Sequence, residues 1–201
     1  MPPLSDLFES VNAFARSTPW LHAPASAYAR YGVVVFALLM LAGWWIARRR
    51  SSLTMAAALL APVATLVAFA VQQVVVSLVS EQRPYAVLPD VLVLIDRTTD
   101  PSFPSDHACI VGAVAAALFL VDRRLGWIAS VLAVLMAITR VYVGAHWPLD
   151  VVAGLALGAA VSAAVVLLLR RPVARLVDRV ATTRLAPLVR AAQGATEPLP
   201  V

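Results

Sequence analysis

Residues 51 to 80 form a stretch of 30 positions without one charged side chain. As a helix rising 1.5 Å per residue, that stretch reaches about 45 Å, enough to cross a bilayer once with tilt and too short to cross it twice. Four shorter apolar runs accompany it: 31–47 between Arg30 and Arg48, 107–121, 125–145 with Arg140 near its end, and 151–169. Together they predict an all-α, polytopic membrane helical bundle with about five transmembrane helices, and a possible kink at Pro62. Only 13% of the residues are charged and 61% are apolar. Soluble domains carry about 25% charged residues and disordered chains are short of apolar ones, so both classes are excluded.

The 16 cations are all Arg, and the net charge of +5 would suit a nucleic-acid binder if it formed one basic face. It is instead sorted by the apolar runs. Arg48, Arg49 and Arg50 follow the first, Arg123 and Arg124 the third, and Arg170, Arg171, Arg175, Arg179, Arg184 and Arg190 the fifth. Short Arg-rich loops stay in the cytoplasm, so an odd number of spans puts the amino terminus outside. The outer side then holds Arg16, Arg30, Arg83, Arg97 and Arg140 with most of the carboxylates. The expected location is a membrane, with no nucleic-acid partner. The first 27 residues lack a basic leading segment and carry Asp6 and Glu9, against a cleaved signal peptide. Cys109 has no partner for a disulfide.

Three segments follow from this pattern. Residues 1–27 form an amino-terminal amphipathic or interfacial segment, with Leu4, Leu7, Phe8, Val11 and Phe14 at helical spacing, lying on the membrane or packed on the bundle. Residues 28–170 form the five-span domain. Residues 171–201 form a basic cytoplasmic tail, expected to fade from a surface helix into disorder around Gly194, Pro198 and Pro200. Four prolines between 84 and 104 mark an outer loop.

Polar groups near membrane depth are costly and mark function. Here they gather at three helix ends: Glu81-Gln82-Arg83-Pro84, Pro104-Ser105-Asp106-His107, and Arg140 through His146 to Asp150. The topology brings all three to the outer face. Two guanidinium forks suit an oxyanion, and the N–H groups opening the third span, with the Ser105 hydroxyl, offer further donors to phosphate. Pro148 favours a helix start, which places Asp150 in the first turn, within reach of His146 four residues back. A carboxylate-oriented His presents its other nitrogen as a nucleophile. His146 is therefore assigned the attack and Asp150 its orientation. His107 is assigned the acid and base role, because adjacent helical side chains diverge and Asp106 would not orient it. The phosphate-binding group is Arg83, Ser105, Arg140 and Asp106, with Asp106 able to orient an Arg or tune His107. Because the ionisable residues sit at helix ends on one face, a transport pathway is disfavoured.

These residues resemble the type 2 phosphatidic acid phosphatase family, whose pattern is Lys, six spacers, Arg-Pro; Pro-Ser-Gly-His; and Ser-Arg, five spacers, His, three spacers, Asp. The chain matches with Arg83-Pro84, Pro104-Ser105-Asp106-His107, and Thr139-Arg140 with His146 and Asp150. It departs at Val76, where the family Lys would stand, at Asp106 for Gly, and at Thr139 for Ser. Gln72, Gln73 or Arg97 are candidates to compensate for the missing cation. The run from Asp100 to His107 is similar to the undecaprenyl-diphosphate phosphatase branch. The resemblance implies a membrane lipid phosphatase that cleaves a polyprenyl diphosphate to the monophosphate outside the cytoplasm, through a phosphohistidine on His146, with no cofactor and no metal. Phosphatidic acid or phosphatidylglycerophosphate as substrate, transfer to another lipid, and a catalytically weak scaffold remain open alternatives.

Overall fold

The structure, a computed structural model, describes residues 4–190, so the expected disorder around Gly194, Pro198 and Pro200 lies outside the described residues. The described chain is helical and contains no strand. Its elements are α1 (Ser5–Ser17), a 3-10 turn (Pro19–Leu21), α2 (His22–Tyr31), α3 (Val33–Ala47), α4 (Ser52–Leu78), α5 (Pro84–Val87), α6 (Asp106–Val121), α7 (Arg123–Tyr142), α8 (Pro148–Val180) and α9 (Ala186–Val189).

All five apolar runs become helices, but they differ in reach. α4, α7 and α8 are each long and apolar enough to cross a membrane. A fourth crossing is available if α2 with its preceding turn and α3, bent by 54° at Gly32, count as one broken span. α6 has only 16 residues, about 24 Å at 1.5 Å per residue. It is the centre of the bundle, packed against α8, α7, α4 and α3, and most of its residues are buried. Large apolar side chains such as Leu38, Leu66, Val131 and Leu168 point outward, as lipid-facing positions do. Pro62 sits inside α4 without ending it.

Small residues allow α6 and α8 to approach closely. A Cβ on Gly158 would lie 2.0 Å from the Cys109 carbonyl oxygen, and one on Gly154 2.5 Å from that of Ser105. Backbones in such contact tolerate only hydrogen at these positions. The juxtaposition fixes the amino-terminal ends of α6 and α8 side by side, where the polar residues lie.

The segments outside the bundle are tied to it. Phe8 of α1 is fully buried, its ring 5.1 Å from that of Trp147, whereas Leu4, Leu7 and Phe14 stay exposed. α1 therefore packs one face on the bundle and leaves the other apolar face open. Its Asn12 clamps the loop before the site, donating to Leu92 O at 2.9 Å and accepting from Leu92 N at 3.0 Å. At the Arg-rich end, α8 runs on past residue 170 as one helix to Val180. α9 then folds back: Leu188 O accepts from Trp44 Nε1, and Arg190 pairs with Asp178 at 2.9 Å. Arg50 pairs with Asp122, which caps α7 by accepting from the N–H groups of Arg124 and Leu125.

Candidate active site

The carboxyl-terminal ends of α4 and α7 and the amino-terminal ends of α6 and α8 meet at one end of the bundle, away from the Arg-rich loops. Between α7 and α8, Gly144 adopts a left-handed backbone (φ +78°), and a Cβ there would strike Leu92 O at 2.4 Å. That turn aims His146 into the bundle end, where it is 1% exposed.

The surroundings of His146 define its protonation. Its Nδ1 lies 2.9 Å from the Ser102 carbonyl and 3.5 Å from Asp150 Oδ2. Both are acceptors, so Nδ1 carries the proton and Nε2 is left with its lone pair. Nε2 faces Arg83 Nη1 and Arg140 Nη2, each at 3.4 Å, and Asp106 Oδ1 at 4.0 Å. Burial first, then Arg140 and Arg83, hold the imidazole below its ordinary range, while Asp150 and Asp106 pull the other way. The neutral, bare-Nε2 form is the form these surroundings favour.

Asp150 is held in turn. Its Oδ2 accepts from the Ser102 hydroxyl and, at 2.9 Å, from Trp147 N–H, which closes the first turn of α8. Its backbone carbonyl accepts from Ser105 N at 3.1 Å, joining the starts of α6 and α8. The nearest acceptor to the imidazole is thus the Ser102 carbonyl, with the expected His146–Asp150 contact longer. Ser102 is fully buried and its importance is not marked by any local pattern in the sequence.

The two guanidiniums are oriented by backbone carbonyls rather than by carboxylates. Arg83 donates from Nε to Asp100 O at 2.9 Å and from Nη1 to Ala145 O at 3.1 Å. Arg140, 6% exposed, donates from Nη1 to Ala29 O at 3.5 Å. Carbonyls align the forks without neutralising them, which leaves positive charge for a ligand.

A cavity of about 270 Å³ opens beside Nε2, lined by Gln72, Gln73, Val76, Arg83, Asp100, Pro101, Pro104, Asp106 and His146. Val76, the position of the absent family Lys, does face this space. Gln73 donates to Gln72 Oε1 at 2.9 Å, and Gln72 to Pro104 O at 2.8 Å, so an amide pair lines the wall beside it. Arg97 instead stacks on Tyr85, 5.4 Å from the ring centre, and does not line the cavity.

Two expectations need correction. Asp106 and His107 do not diverge: Asp106 Oδ1 lies 3.0 Å from His107 Nδ1 and 2.7 Å from His107 N. Asp106 is the first residue of α6, where the following N–H has no helical partner and a short carboxylate can fold back onto it. Ser105 is fully buried as the N-cap of α6, its Oγ accepting from Ala108 N, and the cavity wall passes from Pro104 to Asp106 without it. Among the described residues, no group of three or more His, Cys, Asp or Glu side chains is arranged to hold a metal ion.

The PAP2 superfamily model matches residues 57–173, more than half of the chain and all of the site just described except the Ala29 carbonyl that accepts from Arg140. The chain belongs to the PAP2 superfamily. This PAP2 protein is 34% identical to the bacitracin transport permease protein BcrC of Bacillus licheniformis, over 76% of this chain and 74% of the relative. It is 28% identical to the undecaprenyl-diphosphatase BcrC of Bacillus subtilis, over 75% and 76% of the two chains. Among solved structures it is similar to LpxE of Aquifex aeolicus, with a TM-score of 0.61 and 26% identity, over 78% of this chain and 90% of that one. The chain is thus a multi-pass membrane phosphatase of the PAP2 type, a hydrolase.

Proposed function

We propose that this PAP2 phosphatase hydrolyses a polyprenyl diphosphate of the undecaprenyl type to the monophosphate and inorganic phosphate, at the extracytoplasmic face of a bacterial inner membrane. The observation that carries the chemistry is the bare His146 Nε2 between two guanidiniums whose charge is not neutralised by a bonded carboxylate. The outward placement rests on the Arg-rich loops lying at the opposite end of the bundle. The substrate class rests on similarity to the relatives named undecaprenyl-diphosphatases.

In the first step Nε2 attacks the terminal phosphorus, forming a P–N bond as the P–O bond to the departing polyprenyl phosphate breaks. Arg83 and Arg140 hold the phosphoryl oxygens and offset their charge. The imidazole ring becomes positive, and the Ser102 carbonyl and Asp150 stabilise it through Nδ1–H. His107, protonated, gives its proton to the leaving oxygen and then takes one from water, whose oxygen attacks phosphorus and returns the P–N electron pair to Nε2.

The test is phosphate release by the purified chain from polyprenyl diphosphate, polyprenyl monophosphate and phosphatidic acid in parallel, with His146→Ala as control. Preference for the diphosphate, abolished in the variant and insensitive to EDTA, is expected. Preference for phosphatidic acid overturns the substrate while keeping the chemistry, and equal inactivity of both proteins on every lipid overturns the enzyme in favour of a scaffold.

A further inference from the structure

The same cavity contains a group that a phosphate-binding cup should not tolerate, the carboxylate of Asp106. Its Oδ1 stands 4.0 Å from His146 Nε2, the atom that Arg83 Nη1 and Arg140 Nη2 each approach to 3.4 Å. A phosphorus ready for attack must lie about 3 to 3.5 Å from the nucleophile, with its oxygens among the same guanidinium N–H groups. Oδ1, on the wall of the same cavity, therefore borders the volume that the phosphoryl group requires. A carboxylate has no proton to donate to an oxyanion, so Asp106 cannot act as a phosphate ligand in the manner of the Arg residues.

Resting on the reading of His146 as the phosphoryl acceptor, we propose that Asp106 is a built-in occupant of the cup: the entering phosphate displaces its carboxylate, and the carboxylate returns as product phosphate leaves. Three features fit this role. The side chain is 40% exposed and so has room to swing toward the cavity mouth, unlike the fully buried Asp150. It is tethered at the first residue of α6 by His107 N at 2.7 Å and His107 Nδ1 at 3.0 Å, contacts that rotation about its own side-chain bonds can break and remake. Arg83 and His146 share the cavity wall with it, His107 bonds to it and Arg140 acts on it through space, against Asp100 as the second carboxylate of the wall. Two guanidiniums approach one buried imidazole nitrogen here, and the Asp106 carboxylate offsets part of that charge through space without bonding to either.

The cost of displacing a tethered, charge-paired carboxylate is subtracted from the affinity of every anion that enters. It weakens retention of inorganic phosphate, the species that must leave before the next turnover. The missing cation at Val76 acts in the same direction, so the site combines one fewer positive charge with one resident negative charge.

The experiment is calorimetric titration of the purified full chain in detergent with orthovanadate and with inorganic phosphate, which needs no turnover. Asp106→Asn keeps an oxygen that accepts from His107 and removes the charge; it is expected to bind vanadate about tenfold more tightly, a change of about 1.4 kcal/mol. Asp106→Gly serves in its place if the asparagine variant does not fold, with the same direction expected. Arg140→Gln is expected to weaken vanadate binding at least about tenfold. If Arg140→Gln weakens binding while neither Asp106 variant tightens it, the resident-anion proposal is overturned and the phosphate cup stands. If Arg83→Gln and Arg140→Gln both leave vanadate binding unchanged, the anion does not sit in this cup, and both the proposal and the functional reading beneath it are overturned.

Discussion

Replacing Ser102 with Ala removes one hydroxyl from beneath His146, the proposed nucleophile, and leaves Arg83 and Arg140 in place. Besides the longer contact with His146 Nδ1, the Ser102 hydroxyl and Trp147 N–H are the donors to the Asp150 carboxylate, and its Oδ1 is buried without a hydrogen-bond partner. A hydrogen bond to a charged group contributes about 1.5 to 3 kcal/mol net, and a buried carboxylate deprived of it bears most of that loss. The loss matters most when the imidazole becomes positive, because Asp150 then stabilises the ring. At about 1.4 kcal/mol per factor of ten, the expected fall in kcat is roughly 10- to 100-fold. KM should change little, since Ser102 does not line the cavity. The assay is steady-state phosphate release by wild type and Ser102→Ala, with thermal unfolding in detergent measured on the same preparations. A kcat within twofold of wild type, or a raised KM at unchanged kcat, would refute the claim that the imidazole is held through Ser102 and Asp150.

Three further outcomes follow from the geometry. Burial, Arg140 and Arg83 keep His146 neutral below the usual imidazole pKa of about 6.5, so the acid limb of kcat/KM should lie under that pH and rise in Arg83→Gln; a wild-type limb above pH 7 contradicts this. The stability linked to this group has the same sign: the unfolded chain takes up the proton first, so the contribution is present above the unfolded pKa and is lost as pH falls toward the lower folded one. In Gly158→Ala the new methyl meets the Cys109 carbonyl at 2.0 Å, a backbone atom that cannot rotate away, so α6 and α8 must separate. Overpacking of this kind costs about 1 to 3 kcal/mol, and it should lower both the melting temperature and turnover, because the two helix starts carry the site; a variant with wild-type values of both would argue against the close contact. Val76→Lys places a cation on the cavity wall and should strengthen vanadate inhibition severalfold; unchanged inhibition would show that the Gln72–Gln73 pair already meets the phosphate there.

The site was partly legible because its residues obey spacing rules. His146 and Asp150 are four apart across a helix start that Pro148 announces, and both reach the same place in the structure. Arg83 and Arg140 converge on one nitrogen atom although 57 positions separate them, as the alternation of apolar runs requires. Ser102 was not legible, because it acts through a carbonyl and a hydroxyl that any loop serine possesses. The orientation of Asp106 was misread for a related reason. The rule that neighbouring helical side chains diverge holds within a helix, and fails at a first residue whose neighbour still has a free N–H.

By itself the sequence determined how many apolar segments the chain must bury, that they become helices, and that its Arg-rich loops gather at one end. These properties follow from the cost of placing charge and unpaired backbone in hydrocarbon, a cost that each segment bears locally. Only the tertiary structure decided that α6 is a short central strut, that α1 presses Phe8 onto Trp147, and that the Asp106 carboxylate stands 4.0 Å from His146 Nε2. Those outcomes depend on which backbones can touch, and contact between α6 and α8 at Gly154 and Gly158 is a property of two helices together that neither segment carries alone.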